Sequence, residues 1–295
     1  MLAKKYNNLN FELDSFRKTF KLFFTLMVKN PKTYILYLIF PLFPLLLILF
    51  IWTIAISANI YPPMLINFLG VNLIFSNFFV IQTLINWKNS IILKRIKMNG
   101  VSKYNFILIL YLIFIPLFML SVVINMLFFV IIAKSIPFSE QMFMAATIAF
   151  LNLALDNFTP YTFIFSFLIL TLFAIFLFSM ILIVVFKVRK NGYVRVILFS
   201  FLLFTLLFSD IIINSQMSSQ WEWMIIIGYF SPGRYFMWVL LFINSYANID
   251  PLGVTQIIDY VFGYLSFPKM WIPSLVSGVL LCTTPPLSFV LFNWR

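Results

Sequence analysis

The chain has 295 residues, of which 63% are hydrophobic, 20% aromatic and only 9% charged. Soluble domains average about 45–50% apolar and 25% charged residues, so this much apolar surface points to lipid as the solvent. The net charge of +12 falls in short segments between apolar runs, which excludes a nucleic-acid surface; the single Cys282 excludes disulfides within the chain, and there is no histidine.

Residues 1–32 form a cytoplasmic N-terminal tail, whose start lacks the short apolar core and cleavage site of a removable signal peptide. Within it, over 11–29, Leu13, Phe16, Phe20, Phe23 and Met27 recur at steps of three and four. Asp14, Lys18, Lys21, Thr25 and Lys29 fall mostly on the other side. This predicts an amphipathic helix lying in the interface, its basic face toward anionic headgroups. Asn30-Pro31 then breaks the helix.

Six apolar runs are long enough to cross about 30 Å of hydrocarbon. They cover 33–58, 65–86, 104–133, 161–186, 196–213 and 270–292. Together they predict an all-α, six-span transmembrane domain over 33–295. Pro41, Pro44 and Pro116 lie inside spans, where neighbouring helices can re-satisfy the freed carbonyls.

Between the second and third spans, 87–103 reads W-K-N-S-I-I-L-K-R-I-K-M-N-G-V-S-K, with five basic side chains and no acid. At about 2.5–3.5 kcal/mol for each Lys or Arg at mid-bilayer, burying five would cost roughly 12–18 kcal/mol. This loop therefore belongs in water. With the N-terminus inside, the inner segments hold seventeen of the 20 basic residues, leaving Lys134, Arg234 and Lys269 outside. The outer side takes six of the eight acids. Both termini are thus expected in the cytoplasm, and the membrane is expected to be the plasma membrane.

Two outer stretches resist a simple crossing. Residues 142–155 are apolar but too short to span, which suits an interfacial or re-entrant piece. Residues 224–246, within the outer loop 214–269, are interrupted by Ser231-Pro232-Gly233-Arg234. A single crossing would bury Arg234 near mid-bilayer, so two half-length helices joined at that turn are the cheaper arrangement.

What is missing narrows the chemistry. There is no G-x-x-x-x-G-K-[ST] phosphate loop, no histidine for a zinc site or triad, and no pair of carboxylates within the spans. No catalytic residue and no metal ligand is assigned, and the chain is not expected to be an enzyme. Asp210 is the only ionisable Asp, Glu, Lys or Arg inside the six runs, one turn from the outer boundary, and is expected at headgroup level. Ion-coupled carriers usually hold such a group near the midplane. If this protein moves something uphill, the energy has to come from another subunit.

Polar side chains in the spans are the candidates for a pathway. Asn72, Ser76, Thr83 and Asn86 fall at i, i+4, i+11 and i+14 on one face of the second span, and Ser121 and Asn125 pair in the third. Helix–helix glue is the competing reading of the same residues.

This layout resembles the permease subunit of type-2 ABC exporters. The likeness is carried by K-N-P-K-T-Y-I-L-Y-L-I-F-P-L-F-P at the entry to the first span, by I-L-K-R-I-K-M-N-G-V-S-K-Y-N-F-I-L, by W-E-W-M-I-I-I-G-Y-F-S-P-G-R-Y-F-M-W-V-L-L, and by the final F-N-W-R. It implies a dimer, with itself or with a second permease, that forms the substrate pathway. It also implies a separate ABC ATPase carrying ATP and Mg, docked through 87–103. On that resemblance Lys94, Arg95 and Lys97 meet the ATPase, and Asn99-Gly100 caps the coupling helix. Relatives often carry an acid at the start of this loop, and Trp87-Lys88-Asn89-Ser90 has none. Lipids, drugs, peptides and glycans all remain open as substrates. A membrane scaffold that transports nothing is the alternative, and an ion-coupled carrier ranks last.

Overall fold

The computed structural model describes residues 2–47, 62–135, 159–213, 215–245 and 266–292, and every regular element among them is a helix. The stretch 142–155, the far half of the first apolar run and residues 246–265 of the outer loop lie outside these described residues.

The long amphipathic helix α1 (Leu2–Val28) is followed by α2 (Pro31–Tyr34), a π-helical turn (Ile35–Ile39) and α3 (42–47). Asn30 caps α2, its side chain accepting from the Lys32 amide at 3.1 Å, and Pro31 occupies the first turn, where no N–H is needed. The axis bends by 74° here. The wide turn comes just before Pro41, and Phe40 N–H donates to the Ile35 carbonyl at 2.8 Å. A π-bulge beside a proline is a recognised cause of helix bending.

On α1 the predicted stripe holds in its second half. Phe23 and Met27 are buried, Phe16 and Phe20 pack against the core, and Leu13 is exposed. Phe23 sits between Trp87 (4.7 Å) and Phe106 (5.7 Å), which ties α1 to the helices on either side of the basic loop.

The remaining elements are α4 (Pro62–Lys88), α5 (Ile91–Met98), α6 (Lys103–Ser135), α7 (Pro160–Lys187), α8 (Asn191–Phe208), α9 (Ser215–Ser219), α10 (Glu222–Gly228), α11 (Pro232–Ser245) and α12 (Trp271–Leu291). Parts of α4 and α6, with α7, α8 and α12, make five helices long and apolar enough to cross a membrane, so the chain is a multi-pass membrane protein. The α1–α3 and α10–α11 pairs are apolar enough together but sharply bent.

The fifth apolar run differs from expectation. Its helix starts at Asn191 and ends at Phe208, five residues early at each end, and residues 209–213 leave the helix. Asp210 takes φ 56, a left-handed conformation that costs an L-residue about 1–2 kcal/mol. The cause is tertiary. Leaving the helix carries the Asp210 carboxylate to Arg234.

The most enclosed element is the short α11, in which every residue from Phe236 to Ser245 is buried. It packs against α4, α7, α8 and α12. At one end of the bundle the α4–α6 loop meets the end of α7 and the end of α12, with Phe292 4.4 Å from Phe186 and 5.6 Å from Phe106. That end also holds α1. The bend between α10 and α11 marks the other end.

Candidate functional site

The basic loop folds as a helix with two faces. Leu93 and Ile96 of α5 are buried, while Lys94, Arg95 and Lys97 are exposed. Ile91 and Met98 share the outer stripe with Lys94 and Arg95, at i, i+3, i+4 and i+7, and are 67% and 84% exposed. Two large apolar side chains thus bracket two cations. Sequence reasoning picked out the charges and missed Ile91 and Met98, although their spacing from Lys94 and Arg95 was available.

The end of α5 is built rigidly. Gly100 adopts φ 75, its N–H donates to the Lys97 carbonyl at 3.1 Å, and the Val101 N–H donates to the Ile96 carbonyl at 3.4 Å. These two bonds form a Schellman motif, and the apolar contact expected with it is supplied by buried Ile96 and Val101. The left-handed residue of the expected Asn99-Gly100 cap is therefore Gly100, with Asn99 at the helix end. Lys88 is committed elsewhere: its Nζ donates to the carbonyls of Val185 and Val188, both at 2.7 Å, where a cation suits the end of α7. Beside the cap lies a groove of about 560 Å³, lined by Asp14, Ser15, Lys18 and Thr19 of α1 and by Met98, Asn99 and Gly100. Asp14 brings a carboxylate to a loop that has none of its own.

The six pathway candidates do not share one site. Ser76 and Thr83 turn to the first apolar run: Ser76 Oγ donates to the Tyr37 carbonyl at 3.4 Å, and the Thr83 and Tyr37 hydroxyls bond at 2.5 Å. Asn86 is exposed and accepts from Gln82 at 3.0 Å. Asn72, Ser121 and Asn125 do come together, buried between α4 and α6.

At the other end, Arg234 and Asp210 form an ion pair of 2.9 Å, with side chains 1% and 3% exposed. Protein encloses Asp210, and the carboxylate is committed to a buried partner. Trp238 Nε1 donates to the same carboxylate oxygen at 2.6 Å. Arg234 distributes its other donors to the Ile225 carbonyl (2.9 Å), the Met224 carbonyl (3.4 Å) and Ser266 Oγ (2.8 Å), with the Tyr229 ring 5.7 Å away. A buried guanidinium is tolerable only when its fork is filled this way.

Two glycines make room for this arrangement. A Cβ on Gly228 would collide with the guanidinium, and one on Gly233 would lie 2.5 Å from Ser209 Oγ. Ser209 and Ser231 bond to each other at 2.6 Å. The turn Ser231–Arg234 thus joins α8, α10, α11 and the approach to α12. Sequence reasoning placed the turn and missed its partner; the signal was one lone acid and one lone base, each beside an apolar run.

No protein-family model, no curated protein and no solved structure matches this chain.

Proposed function

We propose that the chain is the permease subunit of an ATP-driven, type-2 ABC-like exporter, coupled to a separate ATPase through α5. The observation that carries this reading is the outer stripe of α5, where Ile91 and Met98 flank Lys94 and Arg95. Large apolar side chains on a short, cationic connecting helix suit a protein partner better than open water, since anchors of this kind dominate interfaces. Lys97 adds a third cation, and the Gly100 cap holds the stripe in register.

In this reading six spans cross the plasma membrane with both termini in the cytoplasm, and α10–α11 form a re-entrant hairpin on the outer side. Two such permeases, identical or not, enclose the pathway. ATP and Mg act on the ATPase, whose closure shifts α5. The shift passes inward because Trp87, at the lead-in to α5, packs on Phe23 of α1 and on Phe114 of α6 at 5.8 Å. Coupling of this kind needs ATPase contacts that differ between the two states of the bundle.

The test is co-purification from membranes with an ABC ATPase encoded beside this chain. Arg95→Glu together with Lys97→Glu should lower recovery of the ATPase about tenfold, equivalent to roughly 1.4 kcal/mol. Undiminished recovery with both reversals would falsify the docking role. Orientation has its own check: Ser90→Cys, in a Cys282→Ser background, should react with a membrane-impermeant maleimide only from the cytoplasmic side.

A further inference from the structure

Between α4 and α6, three buried side chains form a directional relay. Asn125 Nδ2 donates to the Ser121 carbonyl at 2.7 Å and lies 3.5 Å from Ser121 Oγ, which donates to Asn72 Oδ1 at 3.0 Å. The Ser121 carbonyl can only accept, so it sets the orientation of the Asn125 amide. Two atoms are then left without a protein partner: Asn125 Oδ1, an acceptor, and Asn72 Nδ2, a donor. Each residue of the relay is at most 1% exposed.

Leaving a buried polar atom unpaired costs about 1–3 kcal/mol, so the two ends together are a substantial liability unless a polar group reaches them. Other buried asparagines on α4 are less complete. Asn67 donates to the Asp210 carbonyl and Asn77 to the Leu73 carbonyl, and each is left with a lone free acceptor, Oδ1. Asn72 and Asn125, linked through Ser121, offer a free donor and a free acceptor within one cluster.

We propose that the relay is a binding site for a single neutral hydroxyl group, whose oxygen accepts from Asn72 Nδ2 and whose hydrogen goes to Asn125 Oδ1. The chemistry is selective. A carboxylate has no hydrogen for Asn125, and an ammonium has no lone pair for Asn72. The ion pair of Asp210 and Arg234 is closed on itself, so it offers no counter-charge to an ionic guest. Leu69 and Phe118, one turn away on each helix, are buried and apolar, which suits a hydroxyl carried on a hydrocarbon body. A resident water and the hydroxyl of a membrane-borne alcohol present the same group. The site does not depend on whether α5 docks an ATPase.

The test uses purified protein in lipid nanodiscs and a photoreactive, diazirine-bearing octanol, with the matching octane as control. Adducts are mapped by mass spectrometry, and a high-resolution structure of the alcohol-free protein is inspected at Asn72 and Asn125. The alcohol should label the segments around 72 and 121–125 about tenfold more than the alkane, an advantage of roughly 1.4 kcal/mol. Asn72→Leu with Asn125→Leu should abolish that preference. If the double variant does not fold, Ser121→Ala breaks the relay with little change in volume and should reduce the preference several-fold. Preferential labelling identifies a guest alcohol, and ordered oxygen density between the two amides without labelling identifies water. Equal labelling by alcohol and alkane with no such density overturns the proposal, as does a preference that survives loss of the relay.

Discussion

Asp210 and Arg234, 24 residues apart, meet at 2.9 Å in a setting where neither side chain is more than 3% exposed. The pair binds the end of α8 to the start of α11. Removing one partner strands the other charge, which typically costs about 3–5 kcal/mol, whereas removing both is often close to neutral. Asp210→Asn and Arg234→Met are therefore each expected to lower stability by that amount, and the double variant by less than the sum. A double-mutant cycle on unfolding in detergent measures the difference; additive losses would show that the two groups do not act as a pair.

Gly228→Ala should mimic loss of Arg234, because the added Cβ falls on the guanidinium. Its destabilisation should approach that of Arg234→Met and should largely disappear in the Arg234→Met background. Gly278→Ala is the control. That position has open space around it and lies inside α12, so a change of about 0.5–1 kcal/mol toward greater stability is expected.

Truncating the exposed anchors of α5 should separate docking from folding. Ile91→Ala with Met98→Ala should leave the melting temperature unchanged, since surface positions away from packed features usually matter by less than about 0.5 kcal/mol. If α5 docks an ATPase as proposed, recovery of that ATPase should nonetheless fall.

Gly100→Ala acts on the same helix by another route. Forcing an L-residue into the left-handed conformation at φ 75 costs about 1–2 kcal/mol and frays the cap. Hydrogen exchange should quicken over residues 96–101 and stay unchanged in α7.

Phe23→Ala should release α1. Truncating a buried phenylalanine costs about 3–5 kcal/mol, and here the loss falls on the contacts with Trp87 and Phe106. Faster tryptic cleavage at Lys18 and Lys21 is the readout, against unchanged protection of α7.

Composition and periodicity alone determined the solvent, the helical class and most element positions, because a chain in lipid must bond its own backbone and so writes each crossing as a long apolar run. They also marked the Ser231–Arg234 break and the basic loop with its exposed cations, since charge and proline act locally. Tertiary structure decided which side chains share a site. It drew Asn72, Ser121 and Asn125 together, sent Ser76 and Thr83 to Tyr37, left Asn86 at the surface, and took Asp210 out of its helix to meet Arg234. Helical phase shows which residues share a face but not which neighbour that face meets. A lone charge beside an apolar run reads as a boundary until the fold supplies its partner.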